Sequence, residues 1–456
     1  MPVDLDAIFK AYDVRGTVPD QLDADLVRRI GAAAARILDG DTIVIGRDMR
    51  PSSPELAAAF ADGANSQGVD VVHVGLASTD MLYFASGHLD EPGAMFTASH
   101  NPAQYNGIKM CRAGAVPVSI DTGLARIRDL VADGDLDPQG EPGQEREEDL
   151  LAAFAEHVRS FVDRDALSPL TVVVDAANGM AGHVVPAVFA GLPFDVIPMY
   201  FELDGSFPNH PADPSDVRNL ADLRAAVTDH GADIGFAFDG DADRAFAVDE
   251  RGEPVRPSLF AAVVADRILE KEPGSTVLYN LICSKIVPET ITASGGKAVR
   301  TRVGHSFIKA RMAETGAVYG CEHSGHYYFR DNYRADSGLV AALILLEAIS
   351  LSGQPLSQVV APYDRYPQSG EMNFEVDDQD AMLERVADVF GARGELDWTD
   401  GLTVELDEVD ATGRWGWFNL RPSNTEPLLR LNVEAAASDA MEKLRDEVAA
   451  LVDEQG

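Results

Sequence analysis

With 456 residues, 46% of them hydrophobic and 25% charged, the chain is too long for one ordinary core and too apolar for disorder, so two to four domains are expected. Its 37 Lys and Arg against 75 Asp and Glu leave a formal charge of −38, which argues against nucleic acid or an anionic membrane as partner. Cys111, Cys283 and Cys321 lie too far apart for a disulfide framework or zinc motif, and the first residues lack a basic region followed by an apolar one, so a cytosolic chain is expected. An acidic protein that binds an anion must collect cations locally, and with lysine scarce, Lys109 and Lys285 draw attention.

Along the chain the same pattern comes three times. TIVIG (42–46), TVVVDAANG (171–179) and TVLYN (276–280) are β-branched runs, each followed by a helix-like segment and another short apolar run: VDVVHVG, FDVIPMY and KAVRTRVG. Further on, each unit has one more apolar strand that ends in a polar loop: MFTASHNP (95–102), GFAFDGDADR (235–244) and VYGCEHSGH (318–326). Alternating strands and helices predict α/β domains with mostly parallel or mixed sheets, whose ligands sit at the carboxyl ends of strands, so the three loops are expected to face one central cleft. The run LVAALILLEAISL (339–351) is too short to cross a bilayer and reads as a buried helix capped by Asp336 or Ser337. Polar stretches at 133–149, 249–257 and 363–371 divide the chain into 1–150, 151–253, 254–366 and 367–456. The last part, with strands NFEV, LTVEL, GWFNL and LLRLNVEA between two helices, predicts a smaller α+β domain: an antiparallel sheet with helices on one face.

The polar loops carry the chemistry. DGDAD places Asp239, Asp241 and Asp243 two apart after an apolar run, which in extended geometry would put three carboxylates on one side. Each like-charge pair at about 5 Å costs roughly 3 kcal/mol at an effective dielectric near 20, so a cation is expected, and oxygen-only donors favour Mg²⁺ or Ca²⁺. An EF-hand would need Gly where Arg244 stands, an aspartyl-phosphate phosphatase motif fits badly with Asp243 as its fifth residue, and a solvated turn is the bland alternative. Mg²⁺ is the reading preferred. In TASHNPAQYNGIK (97–109) Ser99 and His100 are neighbours, which do not ordinarily make a nucleophile–base pair, and the segment alone reads as a turn series. RPSNTEP (421–427), between two strands, offers a guanidinium, two hydroxyls and an amide, a phosphate cradle or an ordinary hairpin. Glu322, Ser324 and His326 in GCEHSGH suit hydroxyl recognition or a capped turn. Together they suggest phosphoryl transfer on a sugar phosphate.

At these loops, in this order and over essentially the whole chain, the sequence resembles the α-D-phosphohexomutase family; KAYDVRG (10–16), DGSFPNHPADP (204–214) and GHSFIK (304–309) share the likeness. The resemblance implies three related α/β domains and a smaller fourth, and a phosphorylated Ser99 beside one Mg²⁺ held by Asp239, Asp241 and Asp243. It implies exchange of the phosphoryl group between hexose 6-phosphate and hexose 1-phosphate through a hexose 1,6-bisphosphate. Lys109 and His326 would be the acid and base, with Arg15 beside them. Tyr12, Arg244, Lys285 and His305 would line the site, Glu322 and Ser324 would hold sugar hydroxyls, and Arg421, Ser423, Asn424, Thr425 and Arg430 would grip the non-reacting phosphate. His323 in EHSGH resembles the phosphomannomutase and phosphoglucomutase branch more than glucosamine-specific relatives, and Cys321 departs from the usual second glycine. A phosphoglucosamine mutase, a Mg²⁺-dependent sugar phosphatase and a non-catalytic phosphosugar-binding protein are the alternatives. Oligomeric state is left open.

Overall fold

The computed structural model describes residues 3–409, 411–423 and 428–453. Among the described residues there are four sheets, one for each part of the chain. The first runs in the order Val14–Thr17, Tyr105–Arg112, Gly93–Phe96, Thr42–Arg47, Asp70–Leu76, Glu145–Glu147. Its middle strand Thr42–Arg47 pairs in parallel with Asp70–Leu76 and Gly93–Phe96, and Gly93–Phe96 then pairs antiparallel with Tyr105–Arg112. The second sheet repeats this: Leu170–Asp175 lies parallel to Phe194–Met199 and Ile234–Phe238, and the latter pairs antiparallel with Ala245–Asp249. So does the third, with Thr276–Asn280 between Lys297–Thr301 and Tyr319–Cys321, and Tyr327–Phe329 antiparallel beyond. In all three the polar loop joins the last parallel strand to its antiparallel neighbour, which gives the threefold pattern of the sequence a structural cause. The polar stretch 133–149 is mostly exposed but not all loop, since Glu145–Glu147 adds an edge strand parallel to Asp70–Leu76.

The fourth sheet, in the order Met372–Glu375, Leu428–Ala435, Gly416–Pro422, Leu402–Leu406, Glu395–Asp397, is wholly antiparallel. Helices Gln379–Phe390 and Ser438–Asp453 pack on it through Leu383, Val386, Phe390, Met441, Leu444 and Val448.

Helix ends follow local chemistry. The Asp23 side chain accepts from Leu26 N to start Ala24–Ile37, and Ser337 accepts from Val340 N to start the apolar helix Gly338–Ser352, so Ser337 rather than Asp336 is its cap. Gly353, at φ 62°, ends that helix in the left-handed conformation. Glu347, the one charge in its apolar run, is buried but held by Lys271 at 2.9 Å and Arg267 at 3.4 Å. Residues from 44 to 360, drawn from all three α/β parts, share one hydrophobic cluster, whereas the core of 372–452 is closed on itself. The last sheet meets the others through polar contacts, described below, and through Trp415, whose ring lies 4.8 Å from that of Tyr366.

Candidate functional site

Backbone geometry brings the serine loop and the acidic loop together. Ser99, at φ 49°, stands in a left-handed conformation that costs a non-glycine residue about 1–2 kcal/mol. What holds it is Arg50, fully buried, whose guanidinium donates to the carbonyls of Ser99 (2.9 Å), Asn101 (2.7 Å), Pro102 (2.9 Å) and Tyr105 (2.9 Å) while Asp48 balances its charge at 3.1 Å. Opposite it, Gly240 comes so close that a Cβ there would stand 2.4 Å from the Ser99 carbonyl oxygen, and Gly179 packs equally tightly behind Gly240. Ser99 Oγ thus donates to Asp239 Oδ2 at 2.7 Å across 140 residues of sequence.

The three aspartates are gathered by a turn, not by an extended strand. Strand Ile234–Phe238 ends before Asp239, and Ala242 takes a positive φ of 60°. One oxygen from each of Asp239, Asp241 and Asp243 lies within 4.8 Å of the others, and all three side chains are buried. Lys109 Nζ donates to Asp241 Oδ2 and Asp243 Oδ2 at 2.7 Å each, Thr79 Oγ1 donates to Asp241 Oδ2 at 2.5 Å, and Arg244 Nε donates to Asp239 Oδ2 at 2.9 Å. Asp241 Oδ1 and Asp243 Oδ1 are buried with no hydrogen-bond donor among the described residues, which is costly unless something else meets them. Burial drives the Asp239 carboxyl up to about 8, with Arg244 opposing and Asp243 and Asp241 adding. At Asp241 burial is outweighed by Lys109, which keeps it well below the carboxylate range. Lys109 itself is held well above its ordinary value, because the two aspartates override the effect of burial. A hard divalent cation fits this donor set: oxygens only, two of them unmet, around one compact point.

His100 packs against the serine hydroxyl. Its Nδ1 lies 3.2 Å from Ser99 Oγ, so the neighbours do touch. Burial, with Arg244 and Arg15 nearby, drives its pKa well below 6.5, which leaves a neutral ring against the hydroxyl. Arg15 donates to Asn101 Oδ1 at 2.6 Å and pairs with Asp13.

The loop carrying Glu322, Ser324 and His326 joins the acidic loop through a backbone bridge between Arg244 and His326. His326 Nδ1 is 2.9 Å from Ser324 Oγ, and its Nε2 faces Asp243 at 3.7 Å and Asp336 at 4.0 Å. Glu322 is engaged from inside: Asn280 Nδ2 (3.3 Å) and Gly304 N (3.0 Å) donate to Oε1, and Tyr328 Oη donates to Oε2 (2.6 Å). His323 turns towards Ser258, 3.2 Å from Nδ1 to Oγ. Tyr12 crosses from the first part of the chain to pack edge-on against His305 (5.0 Å between ring centroids) and Phe307 (5.8 Å). Burial pushes the Tyr12 phenol up to about 12, with Arg302, Glu322, Asp400 and Arg421 as its charged surroundings. Removal from solvent and the nearby Lys309 both drive the pKa of the partly buried His305 well below 6.5.

On the fourth sheet Arg421 and Arg430 are direct cross-strand partners, and Glu371 lies 3.6 Å and 3.3 Å from them. Two guanidiniums opposite one another repel, and Glu371 lies near both. Ser423 N donates to Leu428 O at 2.8 Å, while Asn424 and Thr425 lie outside the described residues. Lys285 stands apart from the carboxylates: its Nζ sits 4.3 Å from the centre of the Trp415 ring and its backbone N–H binds Glu434.

Sequence reasoning missed Arg50, Asp48 and Thr79. Thr79 reads as the start of a helix capped by Ser78, and its bond to Asp241 spans 162 positions, a distance no local signal reports.

Four family models match in order: the phosphoglucomutase/phosphomannomutase alpha/beta/alpha domains I (residues 6–137), II (151–252) and III (257–366), and the C-terminal domain (371–451). The chain is 44% identical over 441 residues to a protein of Xanthomonas campestris pv. campestris described as phosphohexose mutases, covering 96% of this chain and 97% of that one. To a phosphomannomutase of Escherichia coli it is 39% identical over 439 residues, covering 94% of each. The crystal structure of a phosphoglucomutase/phosphomannomutase family protein from Burkholderia thailandensis superposes with a TM-score of 0.89 at 32% identity, covering 98% of this chain and 97% of that one. By these matches along its full length the chain belongs to the phosphoglucomutase/phosphomannomutase family.

Proposed function

We propose that this hexose phosphate mutase moves a phosphoryl group between the 6- and 1-positions of mannose phosphate, glucose phosphate or both, by way of a phosphorylated Ser99. The observation that carries the reading is the Ser99 hydroxyl at 2.7 Å from Asp239, in a cluster with two further buried aspartates. A phosphoryl group on that oxygen would set a dianion against the carboxylate, which needs a cation beside it. Asp239, Asp241 and Asp243, with an oxygen of the Ser99 phosphate, would hold one Mg²⁺, which when bound neutralises charge on the transferring group.

The remaining roles belong to side chains. Arg421 and Arg430 grip the non-reacting phosphate, and Glu322 and Ser324 orient sugar hydroxyls. In the first half-reaction the free sugar hydroxyl forms a bond to phosphorus as the bond to Ser99 Oγ breaks. The hydroxyl proton passes to the His326 imidazole. The Lys109 ammonium, which has no lone pair to accept a proton, donates to the departing oxygen. The hexose 1,6-bisphosphate then turns round and returns its other phosphoryl group to Ser99 by the reverse steps.

The test is a panel of mannose, glucose and glucosamine 1-phosphates with Mg²⁺ and a bisphosphate activator. The account expects mannose or glucose 1-phosphate to become the 6-phosphate without net release of inorganic phosphate. Stoichiometric phosphate release would make the protein a phosphatase instead, and preference for glucosamine 1-phosphate would move it to the glucosamine branch.

A further inference from the structure

Three parts of the chain meet at one short segment, residues 302–305. Gly304 there has φ +127°, and a Cβ on it would stand 2.5 Å from Tyr12 Oη. The Gly304 N–H donates to Glu322 Oε1 of the sugar-reading loop at 3.0 Å. The preceding N–H, of Val303, donates at 2.9 Å to Asp400 Oδ2, which belongs to the C-terminal domain. Asp400 is buried, and its own carbonyl is held by Asn419 Nδ2 at 3.1 Å, two residues before Arg421. Its neighbour Gly401, at φ +65°, lies so close to the same strand that a Cβ would come within 2.5 Å of Arg421 Cβ. Beside this contact, Arg300 pairs with Glu405 at 2.8 Å and Asp397 at 3.5 Å. A continuous path of backbone and carboxylate contacts therefore runs from Arg421 through Gly401 and Asp400 to Val303, Gly304 and Glu322.

We propose that Asp400 is a positioning residue that couples the anion grip of Arg421 to the segment carrying Gly304 and His305, so that the phosphate-holding domain and the sugar-reading loop engage a substrate together. Asp400 touches no reacting atom; it acts through Val303 and Arg421. This rests on the mutase reading above. The non-reacting phosphate is held equally in ground and transition states, so a loosened coupling raises KM and spares kcat. Arg300 with its two acidic partners secures the same contact from the exposed side, where single pairs contribute little.

The experiment compares Asp400→Ala, Asp400→Asn and the charge-swapped pair Arg300→Glu with Glu405→Arg, using the full chain with Mg²⁺. Readouts are kcat and KM for the preferred hexose 1-phosphate, and calorimetric Kd for the same compound. Asp400→Ala is expected to raise KM and Kd about tenfold with kcat within about threefold of wild type. Asp400→Asn, whose amide oxygen still accepts from Val303 N, is expected to stay within about threefold on every parameter. Arg300→Glu alone should raise KM two- to fivefold, and the swapped pair should recover most of that loss. These charge variants keep the test open if Asp400→Ala does not fold. Wild-type KM in Asp400→Ala and Arg300→Glu, or a fall in kcat at unchanged KM, would overturn the proposal. If wild type itself fails to interconvert hexose phosphates, the mutase reading falls, while the Kd comparison still decides the coupling.

Discussion

Ser99 shows how much surrounding structure one functional side chain needs. Its backbone is strained, its carbonyl is tied down by a buried arginine, and its hydroxyl lies between Asp239 and a neutral His100. Ser99→Ala keeps the backbone contacts but removes the oxygen that would carry the phosphoryl group; turnover is expected to fall at least about a thousandfold, and steady-state assays at saturating Mg²⁺ read it. A second expectation concerns Asp80, buried and accepting from Ser78 and Ser337. Burial raises its pKa from 3.8 to about 7, the two hydroxyls opposing and Asp243 and Asp336 adding. A carboxyl raised on folding stabilises the fold fully below its unfolded value, and that contribution is lost as pH rises through about 7. Wild type should therefore lose Tm between about pH 4 and 7 and level off above it, and Asp80→Asn should flatten that slope; equal slopes in scanning calorimetry would contradict it. At this scale the sequence was readable where residue type alone suggests the chemistry, as with the three aspartates, which do lie together. It was silent on Arg50 and Thr79, whose roles come from partners far along the chain.

Among the elements, the loops matter more than the strands they join. The repeated order of a central strand, two parallel neighbours and one antiparallel strand was legible as apolar runs with polar ends, because sheets covered on both faces favour continuous β-branched stretches. The shape of the acidic loop was not. The spacing of two suggested a strand, but the preceding strand stops at Phe238 and the chain turns at Ala242, since three adjacent carboxylates are better met from several sides by Lys109, Thr79 and Arg244 than arrayed on a sheet face. Gly240 gives a direct test of this packing. In Gly240→Ala the new methyl would press on backbone, the Ser99 carbonyl oxygen at 2.4 Å, so the two loops must separate. A shift of about 1 Å at reacting atoms costs on the order of a hundredfold, so kcat should drop by ten- to a hundredfold while the fold persists. Unchanged kcat in a well-folded variant would show that the approach is not needed.

For the whole molecule, the division of cores is the main fact. The three α/β parts share apolar packing, and the fourth keeps its own core and touches them through contacts such as Asp400 to Val303, Glu434 to Lys285 and Trp415 to Tyr366. A fourth part with its own core can move relative to the rest, which the proposed reorientation of a bisphosphate would require. Small-angle scattering is expected to show compaction when hexose 1,6-bisphosphate is added; an unchanged radius of gyration would count against opening. The net charge of −38 adds long-range repulsion, so Tm should rise between 0.1 M and 2 M KCl as screening shortens its reach. The central claim joins the first two parts of the chain: Ser99 accepts and returns a phosphoryl group beside a divalent cation held by three aspartates. Its most direct measurement is intact-mass analysis with peptide mapping. The dephosphorylated protein is charged with hexose 1,6-bisphosphate and Mg²⁺, then chased with hexose 6-phosphate. The account expects one phosphoryl group on Ser99 that forms only with the cation and disappears in the chase; interconversion with Ser99 unmodified, or with the label on another residue, would contradict it.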